Sequence, residues 1–560
     1  MKILILIVSF ITINLKAQTP SLQWAVTMGG PSSDLGQSVV VDAGGYIYTT
    51  GYYEGTVDFD PGINVNNLTA LGSYDIFVSK FDASGNLIWV KSMGGPSWDN
   101  GFSIAVDISG NVYSTGVFSG TADFDPNSNV INLTSAGSYD IFVLKLDTYG
   151  NYLWAKKMGG TLTDNALALT IDASCNVYTT GTFLGTADFD PSATTVNLNS
   201  VGADDIFISK LDSAGNYVFA KRMGGSQTDV AYSITVDALG NIYTTGDFYG
   251  TADFDPSISI ANLTSVGAND IFISKLNSNG NFVWAKSMGG ASPENSRSIV
   301  VDASGNIYTT GSFYGATDFD PNGGIANLVS NGSYDIFVSK LDSSGNFIWA
   351  KNMGGVSADF GFSIAVDGVS NVYTTGTIAG TADFDPNIGI INLTSNGGDD
   401  IFISKLNSLG NFSWAISMGD TARDVGYSIS VDGINNVYTA GWYNGTVDFD
   451  PSASALHLTS VGSNDIYVNK LNQSTTTIKE NDIKNSFIIY PNPTSDQFFI
   501  VANTTDKLVV DMYDVNGRHV FSKSVSDKSN IDVTTLIEGI YNLTIKTVDR
   551  VINKKLVILR

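Results

Sequence analysis

The chain has 560 residues, of which 58 are glycine, 11% are aromatic and 15% are charged. Its formal net charge is −25, and the excess of acids lies before residue 478. So acidic a surface repels nucleic-acid phosphates and anionic membranes, which excludes nucleic-acid binding as a function class.

The N-terminal segment Met1–Ala17 has the composition of a secretory signal peptide. Lys2 precedes the apolar run Ile3–Leu15, and Ala17 is a small residue at the end. The run is too short for a membrane-spanning helix, and no later segment is long and apolar enough to be one. We therefore predict cleavage near Ala17 and a mature protein without a transmembrane segment.

Residues 18–472 consist of one 65-residue unit that is repeated almost seven times. A fixed period of this length indicates a solenoid, a propeller or an array. The unit is marked by the phrase Asp-Phe-Asp-Pro, which recurs without insertion at Asp58–Pro61, Asp123–Pro126, Asp188–Pro191, Asp253–Pro256, Asp318–Pro321, Asp383–Pro386 and Asp448–Pro451.

Each unit contains four segments rich in β-branched and aromatic residues, which predict strands. In one unit these segments are Ser298–Asp302, Asn306–Phe313, Asp335–Asp342 and Asn346–Met353. Asp-x-x-Gly-Asn turns join them in pairs, since Asp bonds its own backbone and Gly accepts a positive φ. Gly311 inside the second segment indicates a bulge or a close approach of backbone. Four antiparallel strands form the blade of a β-propeller, so we predict an all-β fold with seven blades; a parallel β-helix would use shorter rungs.

The phase of the repeat predicts how the ring closes. Six units carry an aromatic residue in the fourth segment, but Lys479 of the seventh lies in a polar stretch. The missing segment stands at the N-terminus, where Trp24–Gly30 matches Trp349–Gly355. We therefore predict that Trp24–Met28 pairs with Asp465–Asn472 and removes two open sheet edges.

Two phrases of the unit resemble a known repeat. Val301–Gly311 reads Val-Asp-x-x-Gly-Asn-x-Tyr-x-Thr-Gly, and Lys340–Trp349 reads Lys-Leu-Asp-x-x-Gly-Asn-x-x-Trp. They are similar to the SBBP-type β-propeller repeats of secreted bacterial proteins. The resemblance implies the propeller fold and no single biochemical activity.

After a polar linker, residues 473–485, the chain ends in a β-rich region of balanced charge, residues 486–560. Its marked residues are Tyr490, Pro491, Asn492, Pro493, Gly539, Tyr541, Lys554 and Lys555. Their order resembles the type A C-terminal sorting domain of Bacteroidetes proteins exported by type IX secretion. The resemblance implies a small immunoglobulin-like β-sandwich, recognition by the secretion machinery, and a protein that is secreted or held at the outer-membrane surface. An accessory β-sandwich without a sorting role is the alternative.

Few residues have the chemistry of catalysis. The only histidines, His457 and His519, lie in different domains, so neither a His-dependent triad nor a His-rich zinc site is expected. Most acids recur at the same repeat positions, whereas a catalytic acid and base need different environments. We predict a protein that is not an enzyme. The alternative is a secreted polysaccharide hydrolase or lyase that uses the asymmetric acids Glu54, Glu294 and Asp247.

The Asp-Phe-Asp-Pro phrase is a candidate Ca²⁺ site. In an extended segment Asp318 and Asp320 point to one side and Phe319 to the other. Ca²⁺ prefers several oxygen ligands and would relieve the repulsion between the carboxylates. In the alternative, Phe319 packs between blades and both aspartates cap a turn before Pro321. We predict no other cofactor or metal.

Two repeat positions break the pattern with aromatic residues. Trp98 replaces small or polar residues of other units, and Trp442 and Tyr52 share a second variable position. Units seven, one and two are contiguous once the ring closes, and exposed aromatics there would stack on sugar rings; packing variation is the alternative. We predict a secreted, non-catalytic propeller that binds a glycan or a surface protein. A structural component of a surface matrix is a further alternative.

Overall fold

The computed structural model describes residues 19–473 apart from 453, and residues 488–560 apart from 502–506, 516, 527 and 547–550. The predicted signal peptide, and all of the predicted linker except Gln473, lie outside the described residues. The chain divides into two compact units after Gln473. No helix in the described part of the chain is long and apolar enough to cross a membrane.

The first compact unit is built from antiparallel strands, numbered here in chain order. They are β1 (Ser21–Met28), β2 (Leu35–Val41), β3 (Ile47–Tyr53), β4 (Thr56–Asp58), β5 (Asn67–Thr69), β6 (Asp75–Phe81), β7 (Leu87–Met93), β8 (Asn100–Val106), β9 (Val112–Phe118), β10 (Thr121–Asp123), β11 (Asn132–Thr134), β12 (Asp140–Leu146), β13 (Tyr152–Gly160), β14 (Asp164–Ile171), β15 (Val177–Phe183), β16 (Thr186–Asp188), β17 (Asn197–Asn199), β18 (Asp205–Leu211), β19 (Tyr217–Gly225), β20 (Asp229–Val236), β21 (Ile242–Asp253), β22 (Asn262–Leu276), β23 (Phe282–Gly290), β24 (Glu294–Val301), β25 (Ile307–Phe313), β26 (Ala316–Asp318), β27 (Asn327–Val329), β28 (Asp335–Leu341), β29 (Phe347–Gly355), β30 (Phe360–Val366), β31 (Val372–Ile378), β32 (Thr381–Asp383), β33 (Asn392–Thr394), β34 (Asp400–Leu406), β35 (Phe412–Met418), β36 (Val425–Val431), β37 (Val437–Tyr443), β38 (Thr446–Asp448), β39 (His457–Thr459) and β40 (Asp465–Asn472).

These strands form a β-propeller, which confirms the predicted fold class. In each repeat unit four long strands pair in chain order, as in β2-β3-β6-β7. The first strands of neighbouring sheets contact one another around the centre, and β36 of the last sheet contacts β2 of the first. The fourth strand of the last sheet is β1, in which Trp24 pairs with Lys470 and Met28 with Ile466. This is the pairing that the phase of the repeat predicts. We number the blades one to seven by their first strands, from β2 to β36.

The repeated turns are hydrogen-bonded as their sequence predicts. Asp302 Oδ1 accepts the backbone N–H groups of Ser304 and Asn306, each at 2.9 Å. Its Oδ2 accepts the hydroxyl of Tyr308 at 3.0 Å. Because Tyr308 is fully buried, each turn is fixed both by its own backbone and by the hydrophobic core.

A short hairpin between the second and third strands of each blade was not predicted. In blade one it pairs β4 with β5 and carries the Asp-Phe-Asp-Pro phrase. Phe59 is fully buried, and its ring centroid lies 5.3 Å from that of Tyr53 and 5.1 Å from that of Phe77. Asp58 and Asp60 each accept backbone N–H groups of their own loop, at 2.8–3.1 Å. These are the contacts that the alternative predicts; within the described residues no group of three or more His, Cys, Asp or Glu side chains is placed to hold a metal, and the Ca²⁺ site stays a prediction.

The glycine in the second strand of each blade lies against the backbone of the first strand. A Cβ atom on Gly376 would lie 1.9 Å from the carbonyl oxygen of Phe360. The pairing shifts register between Gly361 and Ser363 in that facing strand. The predicted close approach is therefore present at the glycine, and the bulge belongs to the strand opposite it. Gly368, in the same blade, has no atom within 4 Å of the equivalent position.

Gly376→Ala should therefore lower the free energy of unfolding by about 3 kcal/mol, because the new methyl group displaces a paired backbone carbonyl. Gly368→Ala, which meets no neighbour, should change it by less than about 0.5 kcal/mol. Urea denaturation at constant pH measures both values. Equal midpoints for the two variants would contradict the close approach.

The second compact unit is a β-sandwich of two sheets. Its strands are β41 (Ile488–Tyr490), β42 (Gln497–Val501), β43 (Leu508–Tyr513), β44 (His519–Val525), β45 (Ser529–Asp532), β46 (Gly539–Lys546) and β47 (Val551–Ile558). One sheet has the order β41-β42-β45 and the other β44-β43-β46-β47. Phe498 and Leu543 are fully buried members of the core between them.

Candidate functional site

One end of the propeller carries the residues that differ most between the seven units. It is the end at which the first strand of each blade begins and the second strand ends. The first strand has its bulge here, as between Gly36 and Ser38 in β2, and a bulge changes the direction of the residue within it. The seven bulged residues, which face a central cavity of about 400 Å³, are Gln37, Phe102, Leu167, Tyr232, Arg297, Phe362 and Tyr427. We call this end the variable face.

Aromatic side chains form a continuous series around more than half of the variable face. We call the series the aromatic arc; its members, from blade five through blade seven to blade two, are Tyr314, Tyr334, Phe360, Phe362, Tyr427, Trp442, Tyr52, Tyr74, Trp98 and Tyr139. Centroid distances between the successive rings from Tyr314 to Tyr427 are 5.4–6.3 Å. Those from Tyr52 to Tyr139 are 5.2–6.0 Å. Trp442 joins the two runs, because it belongs to a buried cluster against which both Tyr427 and Tyr52 pack.

The three aromatic residues predicted from the sequence all belong to this arc. Trp98 is 36% exposed, and Tyr52 is half-buried beside Tyr74. Trp442, however, is only 7% exposed and packs against Leu35 and Val425. The expectation that Trp442 is an exposed stacking surface is therefore wrong, because its side chain lies in a buried cluster.

Seven members of the arc were missed by the sequence prediction. They are Tyr74, Tyr139, Tyr314, Tyr334, Phe360, Phe362 and Tyr427. All of them occupy repeat positions that vary from unit to unit. A comparison of every variable position, instead of two, would have identified them.

The remaining part of the variable face, in blades four and five, is polar. The side-chain amide of Asn269 donates to Asp247 Oδ2 at 3.1 Å, to Asn295 Oδ1 at 3.2 Å and to the Glu294 carbonyl at 2.7 Å. Asp247 is 4% exposed. Burial raises its pKa to about 6, although the charge of Arg297 opposes this. One oxygen of each of Asp247 and Asn269 has no hydrogen-bond partner, so this polar group contains two buried acceptors.

The three acids considered for catalysis are not brought together. The Glu294 carboxylate is fully buried, where it accepts the Gly290 N–H at 3.2 Å and the Thr317 hydroxyl at 2.8 Å. Burial raises the pKa of Glu294 to about 8. Asp247 lies in blade four, whereas Glu54 lies in blade one, so they belong to different parts of the ring. The arrangement does not resemble the paired carboxylates of a glycosidase.

The predicted sorting residues lie in the second compact unit, around its last strand. The side chain of Asn492 donates to the Lys555 carbonyl at 2.7 Å and accepts the Val557 N–H at 2.9 Å. These bonds fix the Tyr-Pro-Asn-Pro segment to β47. Tyr541 is 7% exposed and donates its hydroxyl to the Ile537 carbonyl at 2.7 Å. The exposed members of the set are Tyr490, Pro491, Asn492, Pro493, Gly539, Lys554 and Lys555.

Two protein families match parts of the chain. A family described as a secretion system C-terminal sorting domain matches residues 488–559. The β-propeller repeat family SBBP matches residues 218–247 and 348–385. The chain therefore contains SBBP propeller repeats and a type IX sorting domain, as the sequence predicts. The sorting domain indicates interaction with the secretion system and a secreted or cell-surface location.

Curated relatives share only part of their length with this chain. A WD repeat-containing protein of Acanthamoeba polyphaga mimivirus is 25% identical over 502 residues, which cover 76% of this chain and 36% of the relative. The regulatory protein FlaEY of Caulobacter vibrioides is 26% identical over 219 residues, covering 38% of this chain and 22% of the relative. The chain thus spans little more than a third of the first relative and less of the second.

Similar solved structures are distant in sequence. A fungal alcohol oxidase solved in complex with copper has a TM-score of 0.34 and 10% identity, and the match covers 95% of this chain and 98% of the oxidase. A rhamnogalacturonan lyase of Bacillus licheniformis has a TM-score of 0.25 and 10% identity, with coverage of 95% and 91%. Scores this low assign no activity to the chain.

Proposed function

We propose that the propeller is a non-catalytic binding module that holds a glycan on its variable face. The aromatic arc beside the central cavity is the observation that carries this proposal. Binding sites for small ligands combine apolar and aromatic walls with a few placed polar groups. Aromatic rings present flat faces with a polar quadrupole, and the arc offers several such rings to the apolar face of a sugar. The polar side chains that line the cavity, such as Gln37, supply the hydrogen bonds.

A surface protein is the second candidate ligand. Exposed tryptophan and tyrosine side chains are enriched at the centres of protein interfaces, and Trp98 has that character. The cavity favours the glycan, because a chain of sugars fills a recess that a flat protein surface would leave open. A polysaccharide hydrolase or lyase is less well supported, since none of the described residues that line the cavity carries a carboxylate.

Trp98→Ala and Tyr427→Ala should each weaken glycan retention at least about tenfold, because each removes a large ring of the aromatic arc. Affinity electrophoresis of residues 19–560 against a panel of soluble polysaccharides measures retention. Trp154→Phe is the matched control, since Phe219 already stands at the equivalent position of the next unit. Trp442→Ala should instead lower the melting temperature, because this side chain is buried. Unchanged retention in both Trp98→Ala and Tyr427→Ala would reject the variable face as the site, and release of new reducing ends would reject the non-catalytic function.

A further inference from the structure

Arg297 is the single charged residue among those lining the central cavity. The six equivalent residues of the other blades are uncharged, and acids outnumber bases by 25 in the whole chain. Arg297 therefore places a positive charge in a cavity wall that is otherwise uncharged, in a protein whose net charge is negative. It lies on the bulge of β24, between Ser296 and Ser298.

The guanidinium group of Arg297 is held in place without a close counter-ion. Its central carbon lies 4.0 Å from the ring centroid of Tyr232, which is a cation–π contact. None of the carboxylates in the described residues lies within 4.0 Å of its nitrogen atoms. Asp247 is near enough for the charge of Arg297 to lower its pKa, against the larger effect of burial. Stacking on Tyr232 leaves the N–H groups at the edge of the guanidinium available, and their fork matches two oxygens of one oxyanion.

Serine hydroxyls next to the bulges also suit an oxygen-rich ligand. Six of the seven blades have serine at the position after the bulged residue, and all of these line the cavity. Five of the hydroxyl oxygens accept a backbone N–H from the next blade at 3.0–3.3 Å, as Ser298 does from Ile364. A serine hydroxyl has one donor as well as its acceptor positions. The hydroxyl protons of this ring are therefore available to ligand oxygens.

We propose that the glycan bound at the cavity is anionic and that Arg297 pairs with its acidic group. This inference rests on the proposed glycan-binding function and adds the chemical class of the ligand. The acidic group is the carboxylate of a uronic acid or a sulfate ester, since both present two oxygens to the guanidinium fork. Arg297 thereby selects acidic over neutral sugars, while the aromatic arc binds the sugar rings themselves.

The net negative charge of the protein repels an anionic ligand, whereas Arg297 attracts it. Which of these two interactions is stronger depends on the distance of the charges from the ligand. At an ionic strength of 0.15 M the Debye length is about 8 Å, and exposed charges farther away than this are largely screened. The pair between Arg297 and an oxyanion forms in direct contact at the cavity wall and is screened much less. Local attraction therefore outweighs the distant repulsion at this salt concentration.

The test compares three polysaccharides at 0.15 M salt: polygalacturonate, a sulfated galactan and a neutral galactan. The protein is the chain from residue 19 to residue 560, and affinity is measured by isothermal titration calorimetry. We expect the wild type to bind at least one acidic polymer about tenfold more tightly than the neutral polymer. The comparison between polygalacturonate and the sulfated galactan identifies the acidic group.

Arg297→Gln should remove this preference by weakening binding of the acidic polymer about tenfold, to the level of the neutral polymer. Glutamine is compatible with the position, because Gln37 occupies it in blade one. Arg297→Lys, which keeps the charge but loses the fork, should give intermediate affinity, and melting temperatures of both variants verify folding. Equal affinity of the wild type for acidic and neutral polymers, or an unchanged preference in Arg297→Gln, would overturn the inference and leave the proposed glycan binding intact. Failure to bind any of a wider panel of glycans would instead reject the proposed function.

Discussion

A chain that starts at Gly29, and so lacks β1, should unfold at a temperature lower by about 10 °C or more than a chain that starts at Thr19. Strand β1 is the fourth strand of blade seven and pairs with β40 along its length. Its last residue, Met28, is 1% exposed, and loss of such a side chain alone costs about 2–5 kcal/mol. Its absence also exposes the edge of β40, which is a template for aggregation.

The same strand connects blade seven to blade one. Trp24 donates its indole N–H to the Ala83 carbonyl at 3.0 Å, and Ala83 lies in the last turn of blade one. Tyr443 donates its hydroxyl to Thr27 at 2.9 Å. Removal of β1 therefore weakens two blades at once, and the effect should exceed that of losing an equal area from a surface strand.

Differential scanning calorimetry of the two chains measures the effect. Addition of a peptide with the sequence of residues 19–30 should restore part of the lost melting temperature, because the vacant edge of β40 accepts a matching strand. A peptide of the same composition in scrambled order is the control. Equal melting temperatures for the two chains would show that β1 does not contribute to closure.

The features predicted correctly from the sequence depend on the chemistry of neighbouring residues or on the number of strand segments in each repeat unit. The Asp302 turn follows from the side chains of Asp and Asn and from the positive φ of Gly305. The closing strand follows from the number of matching segments. The β4–β5 hairpin was missed because its strands have only three residues each, too few for an alternating pattern to indicate a strand.

The site was less predictable because burial and direction are properties of the assembled ring. Trp98 and Trp442 show the same variation between units, yet one is exposed and the other lies under its neighbours. Arg297 stands at a variable position, but its orientation toward the cavity depends on a bulge in β24. Neither distinction can be read from residue types alone.

Every boundary between blades buries two carboxyl groups, a feature that sequence comparison shows only as repeated acids. One group begins the third strand of a blade, and the other lies at or just before the first strand of the following blade. All are at most 1% exposed. The first set is Asp75, Asp140, Asp205, Asp270, Asp335, Asp400 and Asp465, and the second set is Asp99, Asp164, Asp229, Glu294, Asp359, Asp424 and Asp34. In every member of the first set, Oδ1 has no hydrogen-bond partner.

A glycine makes room for the first carboxyl group at each boundary, and at one boundary it lies against both groups. A Cβ atom on Gly224 would lie 2.8 Å from Asp205 Oδ1 and 3.0 Å from Asp229 Oδ2. The two carboxyl groups are thus close together in a region without water access. Two charged carboxylates at this distance repel each other strongly, and burial penalises both charges.

Protonation relieves this penalty. Burial, helped by the charge of Asp359, raises the pKa of Asp335 to about 7, although a hydrogen bond from the Asn331 backbone opposes this. Burial likewise raises the pKa of Asp34 to about 7 and that of Asp359 to about 6. Unfolded aspartate has a pKa of about 3.9. Between about pH 4 and pH 7 the folded protein therefore binds more protons than the unfolded chain, and the free energy of unfolding falls as the pH rises through this range.

The melting temperature should therefore be higher at pH 5 than at pH 8, by more than about 5 °C given seven such boundaries. Turn residues such as Asp302 do not offset this fall of the melting temperature with pH. Burial raises the pKa of Asp302, but hydrogen bonds led by those from Asn306 outweigh burial and lower the pKa. Asp302 is therefore already charged between pH 5 and pH 8. Differential scanning calorimetry between pH 5 and pH 8 measures how the melting temperature changes with pH. A melting temperature that rises over this interval would contradict the buried pairs.

Two matched substitutions separate the contribution of one boundary from the charge of the whole protein. Asp335→Asn should raise the melting temperature at pH 8 and reduce the slope, because it removes one buried charge and keeps the shape. Asp205→Asn should raise the melting temperature less, because Arg222 lies 2.7 Å from Asp205 Oδ2 and offsets part of the burial that raises the pKa of Asp205. The same chemical change thus has effects of different size at two equivalent positions, since a neighbouring cation offsets part of the penalty for the buried charge at one and not at the other. Identical shifts in the two variants at pH 8 would show that the carboxyl pairs do not control the pH dependence.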